Sequence, residues 1–75
     1  MKKIEDKSIY DEVEDFRNGF AAVKRNGKWG FVNEKGEEMI PCNYDYVNDF
    51  EEGFARVEID GKWGFVNKQG EEFWD

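Results

Sequence analysis

Short apolar runs separated by glycine-containing turns are the main pattern along this chain. Residues 20–25 and 28–32 are rich in aromatic, β-branched and small apolar residues, and Asn26-Gly27 lies between them. Asn-Gly is typical of a two-residue type I′ hairpin turn, because both central residues of that turn have positive φ. The pattern therefore predicts that the two segments pair as antiparallel strands.

The second half of the chain has the same arrangement. Asp60-Gly61 separates residues 54–59 from residues 62–66, and Asp-Gly favours the same type of turn. A two-residue loop also fixes which residues face each other across each hairpin. One face then carries small aliphatic residues, and the other carries rings and charged side chains whose stems can lie across those rings, so we expect the tryptophans to be half-buried.

A third strand is predicted after each hairpin. The turns at residues 33–36 and 67–70 end in glycine, which readily adopts the left-handed conformation. Residues 37–40 and 71–74 then form the third strands, and Pro41 is expected to end the first because proline cannot donate to a ladder.

Two segments remain ambiguous at this level. Residues 10–16 and 44–50 carry acids before a valine, so a short helical turn is as consistent with them as a strand. Gly30 and Gly64 lie inside strands, where glycine indicates that a ring or another backbone approaches closely.

The chain contains an internal repeat. Gly-Lys-Trp-Gly-Phe-Val-Asn at residues 27–33 recurs at residues 61–67, an offset of 34 residues. Each copy holds four glycines, which excludes a helical hairpin of that period. We predict one all-β domain over residues 1–75, an antiparallel meander of two tandem 34-residue β-repeats. Its parts are a lead at 1–9, repeats at 10–41 and 44–75, and the spacer Cys42-Asn43 between them.

These residues resemble the bacterial WG-repeat family. The shared pattern runs from Tyr-Asp through Phe-x-x-Gly and Gly-Lys-Trp-Gly to a turn Asn followed three residues later by Gly, and both copies carry it. The resemblance implies a β-rich, non-catalytic repeat unit that usually occurs in longer arrays. Two copies leave exposed ends, so we expect the lead and Trp74 to act as caps or a second chain to cover the edges.

Composition removes most catalytic chemistry. The chain has no His, no Thr, a single Cys and a single Ser, so neither a nucleophilic triad nor a zinc site can be assembled. No glycine-rich phosphate-binding loop is present. We expect a protein that is not an enzyme and has no cofactor and no metal, with Cys42 as a partly buried, small apolar residue.

The net charge bears on the partner. Eleven basic residues against 18 acidic ones give −7. Such a surface repels phosphate backbones and attracts basic protein surfaces. The alternative interpretation is that the excess acid only keeps a small, aromatic-rich protein soluble. With no apolar segment long enough for a membrane span or a signal peptide, we expect no membrane contact and a cytoplasmic location, bacterial or host.

Candidate binding residues fall into two sets. Acids recur at one place in each repeat and should form two patches on one side of the protein, and the terminal ring of Trp74 stands where the first copy has Ile40. The candidate partner-binding residues are Asp11, Glu12, Glu14, Asp15, Asp45, Asp49, Glu51, Glu52 and Trp74. The structural alternative for the acids is that they lie in solvated turns, and the alternative for Trp74 is that it caps the end of the repeat.

Three functions remain open. The first is a protein-binding module with an unknown partner. The second is an inhibitor whose acids occupy the phosphate-binding groove of a basic enzyme; anti-CRISPR and anti-restriction proteins of phages are similar in size and charge. The third is carbohydrate or cell-wall binding through exposed Trp and Phe rings. The bulky end Phe73-Trp74 also predicts either docking on a target or a homodimer through the C-terminal end.

Overall fold

The computed structural model describes residues 9–74, and these contain no α-helix. Eight strands follow one another along this part of the chain. Their bounds are β1 (Glu12–Val13), β2 (Phe20–Arg25), β3 (Lys28–Asn33), β4 (Glu38–Tyr44), β5 (Tyr46–Val47), β6 (Phe54–Ile59), β7 (Lys62–Asn67) and β8 (Glu72–Trp74).

The strands form two antiparallel sheets of four strands each, in the order β1-β2-β3-β4 and β5-β6-β7-β8. We call these the first unit and the second unit. Each is a meander, and the all-β prediction with two tandem repeats is confirmed. The ambiguous segments contain the short strands β1 and β5, each of which pairs with the outer edge of a long hairpin.

The two central hairpins turn as predicted. Asn26 and Gly27 have φ of 55° and 82°, and Asp60 and Gly61 have φ of 52° and 81°. Ala22 therefore faces Phe31 in the first unit, and Arg56 faces Phe65 in the second. Local turn chemistry is enough to set this register, because a two-residue loop leaves no freedom to slip.

Valine at either turn glycine will destabilise the fold. In Gly27→Val or Gly61→Val a β-branched residue must adopt positive φ, which costs about 1–3 kcal/mol. Nothing lies within 4 Å of a Cβ built at either position, so the cost comes from the backbone alone. Thermal melts check this, and unchanged midpoints in both variants would contradict the turn assignment.

A second pair of tight turns went unpredicted. Asn18-Gly19 and Glu52-Gly53 have φ of 54°, 88°, 52° and 89°, and bridges join Arg17 to Phe20 and Glu51 to Phe54 around them. Asn-Gly at 18–19 is itself a hairpin signal. Arg17 and Glu51 therefore occupy equivalent positions at the edges of their units.

The expected end of the third strand at Pro41 is wrong. β4 runs through Pro41 to Tyr44 and includes the residues assigned to a spacer, Cys42 and Asn43. The strand lies at the edge of its sheet, where a missing N–H is tolerated, and its pairing with β3 shifts register between Trp29 and Val32.

The glycines of the two Trp-Gly pairs allow a close approach, as predicted. A Cβ at Gly30 would lie 2.7 Å from the carbonyl carbon of Pro41 and closer still to the oxygen of Ile40. A Cβ at Gly64 would lie 2.6 Å from both the oxygen of Phe73 and the ring of Trp74. Backbone crosses over Gly30, whereas a side chain covers part of Gly64.

The main core lies between the two units. The ring-bearing face of the first unit supplies Ala22, Phe31 and Ile40, and the second unit supplies its small aliphatic face. Tyr44 of the first unit is buried there as well, and the buried members from the second unit are Phe50, Ala55, Val57 and Val66. The units thus stack with the ring face of one against the aliphatic face of the next.

A smaller core covers the aliphatic face of the first unit. Ala21, Val23 and Val32 are buried there, and Tyr10, Val13 and half-buried Cys42 pack against them. The predicted place of Cys42 is thereby confirmed, and burial raises the pKa of its thiol. Most of the lead, residues 1–8, lies outside the described residues, and so does its predicted capping role.

Candidate binding site

Two phenylalanines on the ring face of the first unit form an aromatic slot that is filled. The rings of Phe20 and Phe31 lie 6.5 Å apart at 83°. Phe50, from the second unit, stacks on Phe20 at 4.4 Å and meets Phe31 edge-on at 4.8 Å. We call this pair of rings the first slot, and Phe50 is its occupant.

The second unit repeats the slot without an occupant of this kind. Phe54 and Phe65 lie 6.4 Å apart at 82°, so the rings are placed as in the first slot. Phe73 meets Phe54 edge-on at 6.0 Å, yet Phe54 and Phe65 stay 46% and 39% exposed. We call this pair the second slot; it is an open copy of a site that is occupied elsewhere in the same molecule.

The rims of the two slots differ in charge. Beside the first slot, Arg17 pairs with Asp49 at 3.6 Å and the amide of Asn18 donates to the carbonyl of Phe50. At the equivalent positions of the second unit stand Glu51 and Glu52. The rim residues have thus changed from a cation and a donor to two anions.

A further difference lies on β6. Arg56 replaces the buried Ala22, and its guanidinium lies 5.5 Å from the ring centre of Phe65 and 5.2 Å from that of Trp63. The cation is held over the exposed aromatic face by attraction to the rings.

Carboxylates and rings share two adjoining grooves. One groove lies where the units meet, and the other lies over the second slot; Asn48 and Asp49 line both. Glu14 and Trp29 line the first groove, with Ala22, Tyr46 and Val47. Glu51, Arg56, Phe54 and Phe65 complete the second.

Two of the predicted site residues hold turns together. Asp11 accepts a hydrogen bond from the backbone N–H of Asn26 at 3.0 Å, and Asp45 accepts one from that of Asp60 at 2.9 Å. Asp45 also forms an ion pair with Lys28 of the first unit. These carboxylates fasten the short strands to the hairpin turns, and Asp45 also links the units.

Stability at acid pH should depend on Asp45. The hydrogen bond from Lys28 lowers the pKa of Asp45, and the bond from Asp60 lowers it further. The stabilisation is therefore present above the ordinary aspartate pKa of about 4 and is lost as pH falls through the lower folded value.

Urea unfolding at pH values from about 6 down to about 2 measures this effect, because that range brackets the ordinary aspartate pKa of about 4. Asp45→Asn should flatten the loss of stability on the acid side. Asp11→Asn removes the equivalent turn contact without an ion pair and is the matched control. An Asp45→Asn profile parallel to that of the wild type would contradict the assigned role.

The remaining predicted acids divide by their surroundings. Glu12 pairs with Lys24 at 3.8 Å, and Asp49 with Arg17. Glu14, Asp49 and Glu51 line the adjoining grooves. Asp15 and Glu52 are exposed. The structure thus brings together three of the eight acids, and it places Asp11 and Asp45 at turns instead.

Trp74 lies at the open end of the second unit. It faces Gly64 across β7 and β8, is 40% exposed, and its indole N–H donates to Glu72 at 3.1 Å. Together with Ile59, Lys62, Trp63 and Glu72 it lines a third groove. The ring covers the backbone of its own unit and also borders a surface groove.

The tyrosines at the start of each repeat make one equivalent contact. Tyr10 donates to Glu38 at 2.8 Å, and Tyr44 donates to Glu72. Burial raises the pKa of Tyr10 to about 12, with a further contribution from Glu38, and it raises the pKa of Tyr44 as well. Both hydroxyls therefore stay protonated donors at neutral pH.

Sequence reasoning missed the second slot. The sequence pattern predicts exposed Trp and Phe rings only in general, and it singles out neither Phe54 nor Arg56. The signal in the sequence was a difference between the two repeats on the ring face. The small residue Ala22 of the first repeat is replaced at the equivalent position of the second repeat by a long cation, Arg56. A buried alanine replaced by arginine indicates that the second unit exposes this face.

The repeated geometry agrees with a comparison against family models. Residues 7–29 and 29–63 match the family described as WG containing repeat. The protein belongs to the WG-containing repeat family. No curated protein and no solved structure matched the chain. The family assignment indicates a repeat-based binding module.

The WG-containing repeat is matched in a different phase from the sheets. The second match starts at Trp29 and ends at Trp63, from one Trp-Gly pair to the next, whereas the sheets change between Tyr44 and Tyr46.

Within the part of the chain that the structure describes, no group of three potential ligands is placed to hold a metal ion. Residues 9–74 also contain no helix that could cross a membrane.

Proposed function

We propose that this WG-repeat protein is a non-enzymatic binding module whose partner is a protein with a basic surface. The supporting observation is the pair of adjoining grooves, in which Glu14, Asp49 and Glu51 stand beside exposed or half-buried rings. Rings supply the apolar contact area of an interface, and acids at its rim select a cationic partner and speed association.

The most concrete form of this function is inhibition. A protein that carries −7 and binds basic surfaces would occupy the groove in which a nucleic-acid-binding enzyme holds phosphates. Anti-CRISPR and anti-restriction inhibitors act on enzymes of this type. This chain would then compete with nucleic acid for the partner and would not bind nucleic acid itself.

Binding of a cationic probe tests the proposal. Oligo-arginine should quench or shift the tryptophan fluorescence at low salt, because Trp29 lines the first groove, and oligo-glutamate of equal length should not. Added salt should weaken the binding of oligo-arginine. Asp49→Asn, which removes a charge from both grooves, should weaken it more than Glu34→Gln, the same loss of charge on an exposed turn. Equal responses to the two oligomers would refute the proposal.

Carbohydrate binding is the second candidate, and the third groove favours it. Trp63 and Trp74 border this groove together with Lys62 and Glu72, which places two rings beside groups that can hydrogen-bond to a sugar. A panel of soluble glycans added to the protein should then quench tryptophan fluorescence, and Trp74→Ala should abolish the response. No response across the panel would remove this candidate.

A further inference from the structure

We propose that the second slot binds an aromatic side chain of a partner protein that is directly preceded in the partner's sequence by arginine or lysine. This inference rests on the proposed function and narrows it, because it specifies the part of a basic protein that enters the site. It follows from comparing the two slots, one occupied and one open, within the same chain.

The first slot supplies the template. Its occupant, Phe50, stacks on Phe20 and is held edge-on by Phe31. In the second slot the same two ring positions differ by 0.1 Å in separation and 1° in angle from those of the first. The two rings of the second slot are therefore already placed to receive a phenyl ring, and their own positions need little reorganisation.

The rim determines which residue accompanies the ring. The residue before Phe50 is Asp49, and it pairs with Arg17 at the edge of the first slot. Glu51 holds the equivalent place beside the second slot, at the equivalent tight turn. An occupant docked in the same way would place the residue before its ring next to Glu51, so a cation is favoured there and an acid is disfavoured.

The other rim groups agree with an aromatic ring rather than a cation inside the slot. Arg56 lies 5.5 Å from the ring centre of Phe65, so a second cation in the slot would meet a like charge. A ring in the same place adds another face to which the guanidinium is attracted. The acids Asp49 and Glu51 line the groove outside the rings, where the partner's basic residue would lie.

The same rim disfavours a second copy of this chain as the occupant. Phe16 is the repeat equivalent of Phe50 and is exposed, so head-to-tail docking would insert it into the second slot of another copy. Asp15 precedes Phe16, and this arrangement would bring it against Glu51. The second unit thus keeps the slot of a repeat array while its rim opposes growth of a chain of copies.

Short peptides test the specificity directly. Peptides with Arg-Phe, Glu-Phe and Arg-Ala in one glycine-serine frame are titrated into isotope-labelled protein, and amide shifts are followed by NMR. We expect Arg-Phe to shift residues of β6 and β7, with binding roughly fivefold tighter than Glu-Phe, and Arg-Ala to leave the slot unchanged. In Glu51→Arg, an exposed position, the preference between Arg-Phe and Glu-Phe should reverse.

The outcomes separate this inference from the function on which it rests. If oligo-arginine binds but Arg-Phe and Arg-Ala give the same shifts, the slot specificity is wrong and the basic partner stands. If Glu51→Arg folds and keeps the wild-type preference, the rim does not select the occupant. If Glu-Phe binds more tightly than Arg-Phe to the wild type, a second copy is the better occupant and the proposal is overturned.

Discussion

Alanine in place of Phe50 will bring the protein close to unfolding. The ring is 1% exposed and fills the first slot, so its loss leaves a cavity in the main core between the units. Truncating a buried phenylalanine costs about 3–5 kcal/mol. The total free energy of unfolding of a domain of this size is of about the same magnitude. Urea unfolding should therefore show a variant that is only marginally folded in buffer.

Phe16→Ala is the matched control for this prediction. Phe16 has the equivalent place in the first repeat but is 37% exposed, so its removal should cost less than about 1 kcal/mol. Equal losses in the two variants would mean that Phe50 does not join the units as described. Because the substitutions are chemically identical, the difference between them measures what the burial of Phe50 between the units contributes to stability.

Alanine at Gly30 is the second large effect. Its Cβ would stand within 3 Å of the backbone of Ile40 and Pro41, and backbone in a paired strand cannot move aside as the end of a side chain can. We expect a loss of about 3 kcal/mol, at the upper end of the cost of overpacking, measured by chemical unfolding.

Gly64→Ala offers the comparison. Its Cβ meets the oxygen of Phe73 and the ring of Trp74, which lies on the exposed strand β8. The cost should be smaller, about 1–2 kcal/mol, and truncation of the ring in Gly64→Ala/Trp74→Ala should recover part of it. A Gly30→Ala variant as stable as the wild type would contradict the backbone crossing at this glycine.

Sequence alone determines the hairpins of this protein because turn chemistry is local. Asn26-Gly27 and Asp60-Gly61 adopt positive φ, and the register of β2 with β3 and of β6 with β7 follows from loop length. The strand through Pro41 was not predictable in the same way. Its course depends on lying at a sheet edge, which is a property of the assembled sheet.

The repeat motif alone does not predict whether the ring face of a unit is buried or exposed. Phe31 and Phe65 belong to the same seven-residue motif, yet Phe31 is 1% exposed and Phe65 is 39% exposed. The difference arises from what packs against each unit, and the motif does not encode that. Ala22 and Arg56 do encode it, because a small residue permits stacking and a long cation covers an open face.

The acidic residues show a similar limit. Net charge identified the carboxylates as a set, but it does not separate those that face solvent from those that hold the fold. Asp11 and Asp45 accept backbone hydrogen bonds from distant turns, whereas Glu14 and Glu51 line grooves. Contacts across 15 residues of chain distinguish the two kinds, and these contacts exist only in the folded protein.

The central claim is that one aromatic slot occurs twice and that its rim determines what fills it. Transplanting the first rim onto the second unit tests this most directly, in the triple variant Glu51→Arg/Glu52→Asn/Arg56→Ala. Sedimentation velocity over a range of concentrations should show a wild type that stays monomeric and a variant that associates head to tail, with Phe16→Ala added to the variant restoring the monomer. A folded triple variant that sediments like the wild type at every concentration would contradict the claim.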